Sequence, residues 1–172
     1  MSLTPDRLER YARHVMLREV GGPGQQKLLA AHVALVGLGA LGGPAALYLA
    51  AAGVGRLTLI DDDRVALSNL QRQILFRTGD VGASKVEAAA RELAAINPDV
   101  RIEMRAQRLD AANAAALLAD APIVIDGTDT FAARFDLNAA GHARGQVLVS
   151  GAVGRWSAQV SVFKSGLARD PK

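Results

Sequence analysis

The chain alternates short apolar runs with longer segments whose apolar residues recur at helical spacing, and residues 32–72 set the pattern. His32 to Val36 is an apolar run of strand length with β-branched content, and Gly37, Gly39 and Gly42 follow it at G-x-G-x-x-G spacing. A helical pattern from Leu41 to Ala52 is stopped by Gly53 and Gly55. A second apolar strand, Leu57 to Ile60, then runs into the consecutive carboxylates Asp61, Asp62 and Asp63. Strand, glycine turn, helix and strand in that order predict a βαβ unit.

The flanking chain fits around that unit. Thr4 is placed to cap a helix starting at Pro5, with Leu8, Tyr11, Val15 and Leu17 as its apolar stripe. On spacing alone, Arg7, Arg10, Arg13 and Arg18 are a solvated face. Gly21-Gly22-Pro23-Gly24 predicts a mobile connector, and Gln25 to Ala31 a short helix. Residues 65–73 lack clean periodicity and predict a loop with a helical turn. Gly79 and Gly82 bracket a further connector before a helix over Ser84–Ile96, which Asn97-Pro98 stops. Strands are predicted at Val100–Met104, Ile123–Ile125 and Val147–Ser150, and helices at Ala111–Leu118 and Phe131–Ala143. From Arg155 onward, Ser157, Gln159 and Ser161 alternate with Ala158, Val160 and Val162, as in a half-exposed antiparallel strand. Gly166–Lys172 is a polar tail. The expected fold is α/β: a Rossmann-like doubly wound, mainly parallel sheet flanked by helices, with an antiparallel extension at the C-terminal end. One domain over 1–172 is expected, with a helical arm (1–31), a core (32–150) and an antiparallel strand and tail (151–172).

Composition narrows the chemistry. Half of the 172 residues are hydrophobic and 4% aromatic, which suits one tightly packed domain. The chain has no cysteine, so it offers no thiolate nucleophile, no thioester and no Cys-based zinc site, and zinc is not expected. Twenty basic residues against 17 acidic ones give +3, scattered without a basic patch, so no nucleic-acid partner is expected. No apolar run has membrane-spanning length and no N-terminal signal pattern is present, so no membrane partner and a cytoplasmic location are expected.

The glycine turn lets backbone approach a ligand closely, and the helix after it presents free N–H groups and a positive dipole end to phosphates. A carboxylate ending the next strand accepts ribose hydroxyls, and Asp61 stands in that position. A tight turn without a ligand is the plainer alternative, and NAD, FAD and ATP are not separated by this pattern. Asn69, Arg72 and Gln73 are donors within reach of a nucleotide held at Asp61. Lys85 puts a cation in a helix's first turn, against the dipole, which hints at another role. The tip Asp126-Gly127-Thr128-Asp129-Thr130 lies where doubly wound sheets bind ligands. There a threonine cap and a metal-binding Asp129 are both open. His14, His32 and His142 are expected to be structural or surface residues rather than ligands, and Trp156 to be packing.

Collinear stretches then resemble one family: RYARHVMLREVGGPGQQKL, VGLGALGGPAALYLAAAGVGRLTLIDDD, SNLQRQILF, VGASKVEAAARELAAINPDV, IDGTDTFAARFDLN and VSGAVGRWSAQVSVF. The chain is similar over nearly its whole length to the MoeB/ThiF/HesA adenylyltransferases, which activate ubiquitin-like and sulfur-carrier proteins and are relatives of ubiquitin-activating enzymes. The resemblance is nearest to the molybdopterin-synthase type. It implies ATP with Mg²⁺ and adenylation of the C-terminal glycine of a small ubiquitin-like carrier ending in Gly-Gly, in molybdopterin or thiamine biosynthesis. By motif, Gly37, Gly39, Ala40 and Gly42 would lie against the nucleotide with Asp63 and Thr128 beside them, and Asp61 would hold the ribose. Asn69, Arg72, Gln73 and Lys85 would bind phosphates, and Asp129 would hold Mg²⁺. Arg13, in the RYxR motif, would reach the partner subunit's site, which implies a homodimer and replaces the solvated-face reading of the first helix.

Three departures accompany the resemblance. Ala40 stands where the family reads GLGGLG, and Gly127-Thr128-Asp129-Thr130 replaces C-T-D-N. Family members usually continue past the position of Phe163 into paired CxxC motifs and carrier-binding strands. A truncated product or a reduced homologue is therefore expected, with its ATP half complete and its carrier half not. The alternatives kept are an NAD-binding oxidoreductase domain and a nucleotide-binding or dimerising module without activity.

Overall fold

A computed structural model of the chain describes residues 3–164; the polar tail predicted at Gly166–Lys172 lies outside them. Thr4 caps helix α1 (Pro5–Arg10), its hydroxyl accepting from the Arg7 N–H, but the predicted helix is broken at Tyr11 and resumes as α2 (Ala12–Met16). The predicted stripe is only partly buried. Tyr11 is 2% exposed and accepts a hydrogen bond from the Asn97 amide, whereas Leu8 and Leu17 are exposed. The arm is pinned by polar contacts: Arg7 pairs with Asp99, Arg10 donates to the Ile96 carbonyl, and His14 bonds Gln25.

The mobile connector predicted at Gly21–Gly24 is instead the first turn of α3 (Gly21–Ala30). Pro23 sits near the helix start, where a missing N–H costs nothing, and the Gly21 and Gly24 amides bond back to the Leu17 and Val20 carbonyls. Strand β1 (His32–Val36), helix α4 (Gly42–Ala52) and strand β2 (Arg56–Ile60) form the predicted βαβ unit, and His32 pairs with Arg56 through Val36 with Ile60 in parallel register. After 3₁₀ turns at Leu67–Asn69 and Thr78–Asp80 come α5 (Lys85–Ile96) and β3 (Arg101–Arg105).

The helix predicted at Ala111–Leu118 shrinks to α6 (Ala114–Leu117). Asp110 and Asn113 make a reciprocal turn, Asp110 Oδ1 accepting the Ala112 and Asn113 amides while Asn113 Oδ1 accepts the Asp110 amide, and this local bonding displaces the first helical turn. Then follow β4 (Ile123–Asp126), α7 (Phe131–Arg144), β5 (Val147–Val153), which outlasts its predicted end, and β6 (Ala158–Lys164).

The six strands lie in the order β3-β2-β1-β4-β5-β6, all parallel except the last pair. Alternate residues feed two cores. Val33, Leu35, Leu57 and Leu59 face α4 and α5, while Ala34, Val36, Val124 and Leu148 join Leu137 of α7 on the other side. Each such leucine contributes about 1.5–3 kcal/mol by leaving water.

The last strand is antiparallel as predicted, but its faces are reversed. Phe163 sits opposite Leu148 and packs on the α7 side, so Val160 and Val162 point to the other face and are exposed. Trp156, expected to pack, is 98% exposed at the β5–β6 turn. No helix among the described residues is long and apolar enough to cross a membrane.

Candidate functional site

Strand order reverses between β1 and β4, and the crevice outside their carboxyl ends is where a doubly wound sheet binds ligands. A cavity of about 580 Å³ opens there. Its floor is the turn from β1 into α4. Gly37 has φ of 84°, in the left-handed region, and a Cβ on it would meet the Gly127 carbonyl at 2.9 Å. A Cβ on Gly42 would meet the Gly37 carbonyl oxygen at 1.8 Å, so only glycine closes this turn. No side chain caps α4, and Gly39, Ala40 and Leu41 line the cavity, so the positive helix end opens onto it.

Asp61 ends β2 and turns back to the glycine loop. Its Oδ2 accepts the Leu38 N–H at 2.7 Å and its Oδ1 the Asp63 N–H at 2.8 Å, which leaves a lone pair on each oxygen for further donors. Burial pushes its carboxyl above the usual range, against the pull of those two N–H groups. Lys85, the first residue of α5, is 4% exposed, and its Nζ donates to Asp63 Oδ2 at 2.7 Å. The misplaced cation of the sequence is thus a buried ammonium held at the cavity wall. The 3₁₀ turn at Leu67–Asn69 continues through amide bonds from Arg72 and Gln73 to the Asn69 carbonyl, and this presents Asn69, Arg72 and Gln73 to the cavity. Gln73 is buried and its Oε1 has no partner, an acceptor waiting for a donor.

The opposite wall comes from the end of β4. Thr130 caps α7 by accepting the Ala133 N–H, so the cap reading holds for Thr130. Thr128 has another duty: its N–H and hydroxyl both donate to Asp126. Asp129 is exposed and lines the cavity as well as an adjoining one walled by Phe131, Arg134 and residues 152–154 and 157–159.

Gly37, Gly39, Ala40, Asp61, Asp63, Asn69, Arg72, Gln73, Lys85, Thr128 and Asp129 all line the one cavity, with Gly42 shaping its floor. Arg13 does not. The arm docks at the far end of α4, where Gln25 donates to the Ala52 carbonyl, and the 11 residues of that helix put about 16 Å between its ends. Sequence reasoning assigned no role to Asp126, Ser150 or Arg134. An acid closing an apolar strand was the available signal at Asp126; nothing in the local pattern marked Arg134. Leu109 and the exposed Gln107 and Arg108, which follow β3, also border the cavity unpredicted. Among the described residues, Asp61, Asp62 and Asp63 bring carboxylate oxygens within 4.8 Å of one another, but Asp61 and Asp63 are engaged as above.

A parallel sheet with this strand order, a glycine turn at the switch point and an acid at the end of β2 define a Rossmann-like doubly wound protein. The chain matches the ThiF family over residues 11–171 and belongs to it. It is 47% identical over 161 residues to the molybdopterin-synthase adenylyltransferase of Escherichia coli K12, covering 94% of this chain and 65% of that protein. It is 44% identical over 154 residues to the sulfur carrier protein ThiS adenylyltransferase of the same strain, covering 90% of this chain and 61% of that one. It therefore spans less than two thirds of the length of these curated relatives. Among solved structures, E. coli tRNA N6-threonylcarbamoyladenosine dehydratase in complex with ATP superposes with a TM-score of 0.84 at 30% identity, over 90% of this chain and 63% of that one.

Proposed function

We propose that the chain adenylates the C-terminal glycine of a small ubiquitin-like sulfur-carrier protein with ATP, as a homodimer in the cytoplasm. The observation that carries this reading is the single cavity that gathers the Lys85 and Arg72 cations, the Gln73 amide and the Asp129 carboxylate around an uncapped helix N-terminus. In the reaction a carboxylate oxygen of the carrier's last glycine attacks the α-phosphorus. The bond from that phosphorus to the bridging oxygen breaks, and pyrophosphate leaves with its electrons. No proton need move, so positioning and charge neutralisation supply the catalysis.

Asp61 accepts the ribose hydroxyls on its free lone pairs, and the glycine loop with Ala40 lies against the nucleotide. Asn69, Arg72 and Gln73 hold phosphate oxygens. Lys85 leaves or shares its bond to Asp63 to meet the negative charge that grows on the phosphates, while Thr128 closes the opposite wall. Asp129 fits Mg²⁺: it is an exposed carboxylate on the cavity wall, and such ions take one or two carboxylates beside phosphates. When bound, the ion neutralises phosphate charge. Arg13 serves the partner subunit's cavity, since it is far from its own. A carrier of molybdopterin or of thiamine biosynthesis agrees equally with the relatives described. An NAD-dependent reading shares Asp61 and the glycines but leaves Arg72, Lys85 and Asp129 without work.

Calorimetric titration of this chain with ATP, with and without Mg²⁺, and with NAD⁺ tests the proposal. Mg²⁺-strengthened ATP binding without NAD⁺ binding is expected, together with carrier-dependent exchange of pyrophosphate into ATP. Binding of NAD⁺ in place of ATP would overturn it.

A further inference from the structure

The buried polar group with the most partners near the cavity is one the reading above leaves idle. Asp126, the last residue of β4, is 2% exposed. Its Oδ1 accepts the Thr128 N–H at 2.9 Å and the Thr128 hydroxyl at 2.6 Å, and its Oδ2 accepts the Ser150 hydroxyl at 2.7 Å. Arg134, one turn into α7, lies with Nε at 3.9 Å from the same Oδ2, and its Nη2 donates to the Thr128 carbonyl at 2.9 Å and the Gly151 carbonyl at 3.1 Å. All three polar groups of Thr128, the residue before Asp129, are therefore held by one acid–arginine pair that is itself tied to β5.

We propose that Asp126 is a positioning residue which, with Ser150 and Arg134, fixes the Thr128–Asp129 loop so that Asp129 presents its carboxylate to the metal on ATP. The inference rests on the ATP reading and extends it to side chains that touch neither metal nor nucleotide. A buried carboxylate is costly unless hydrogen-bonded, and this one spends its bonds on the next-but-one residue and on the neighbouring strand. Arg134 also offsets the Asp126 charge locally, so Asp129 is the negative group that the β4 wall presents to the cavity. Groups that orient a metal ligand typically change metal affinity by about 10–100-fold when lost.

The test uses Mn²⁺ as the probe on the full chain. Its affinity at saturating ATP is read from the electron paramagnetic resonance signal of free Mn²⁺, and metal-free ATP affinity is read by calorimetry in EDTA. Asp126→Asn should weaken Mn²⁺ by about ten-fold, and Ser150→Ala by a smaller factor in the same direction, with metal-free ATP affinity held within about two-fold. Mn²⁺ affinity at the wild-type level in the folded variants would overturn the role, and so would a parallel fall in metal-free ATP affinity, the mark of general loosening. Should Asp126→Asn fail to fold, Ser150→Ala, which removes one bond, decides alone. Wild-type chain that binds no ATP would instead refute the nucleotide reading, and an unchanged Asp129→Asn variant would refute the metal's assignment to Asp129.

Discussion

At the residue scale, Asp61 serves stability and binding in opposite senses. Its pKa is raised by burial above the unfolded value, so between the two values the folded state holds the extra proton. Its contribution to stability therefore falls as pH rises through that window, whereas ribose binding needs the ionised acceptor and improves. ATP titrations should weaken on acidification at pH values still above the usual aspartate range, and Asp61→Asn should flatten that dependence. Calorimetry over a pH series, beside thermal melts, checks both slopes. Lys85 shows a different separation of fold from function. Its partner Asp63 stays largely exposed, so Lys85→Met keeps an unbranched stem of similar size in the buried position and leaves Asp63 hydrated. Stability should change by less than about 1 kcal/mol in a denaturant melt, because the lost pair has one solvated partner. ATP affinity should drop about ten-fold or more, the usual worth of a hydrogen bond to a charged group.

At the element scale, the turn into α4 distinguishes glycines that build the site from those that only leave it room. A methyl on Gly42 would collide with the Gly37 carbonyl, backbone against backbone, with no flexible neighbour to yield. Gly42→Ala should destabilise by about 3 kcal/mol or prevent folding, seen as loss of the cooperative melt. A methyl on Gly39 would meet only the Gln73 amide at 3.8 Å, an ordinary contact, on the cavity side. Gly39→Ala should keep the wild-type melt and lose ATP affinity, and a melt lowered as far as that of Gly42→Ala would refute this distinction. The spacing of these glycines was legible in the sequence; which of them the fold cannot lose was not, because that depends on Gly37 bending under the helix. The same limit explains α6, where Asp110 and Asn113 satisfy each other locally, and α3, which begins on glycines that pattern reading takes for a break.

At the scale of the whole molecule, the placement of Arg13 carries the prediction. The arm is bound through Tyr11, His14 and Gln25 to the end of α4 remote from the cavity, so in the proposed homodimer Arg13 would act in the other subunit's site rather than its own. Arg13→Ala and Arg72→Ala should each abolish carrier-dependent pyrophosphate exchange. Mixing the two under conditions of demonstrated subunit exchange should restore activity, because a hybrid dimer has one site with both arginines. No recovery would count against action across subunits.

The sequence by itself determined the βαβ unit, the parallel sheet with its antiparallel end, the family, and about half of the residues that line the cavity. Those features rest on local periodicity, turn chemistry and motif spacing, which a linear chain displays. Tertiary structure alone decided that Lys85 is buried against Asp63 and that Asp126, Ser150 and Arg134 converge on Thr128. It also turned Val160 and Val162 outward. Each of these depends on pairing between segments distant along the chain. The register of β6 against β5 chose which face of an alternating strand meets the core, and that choice is not written in the alternation itself.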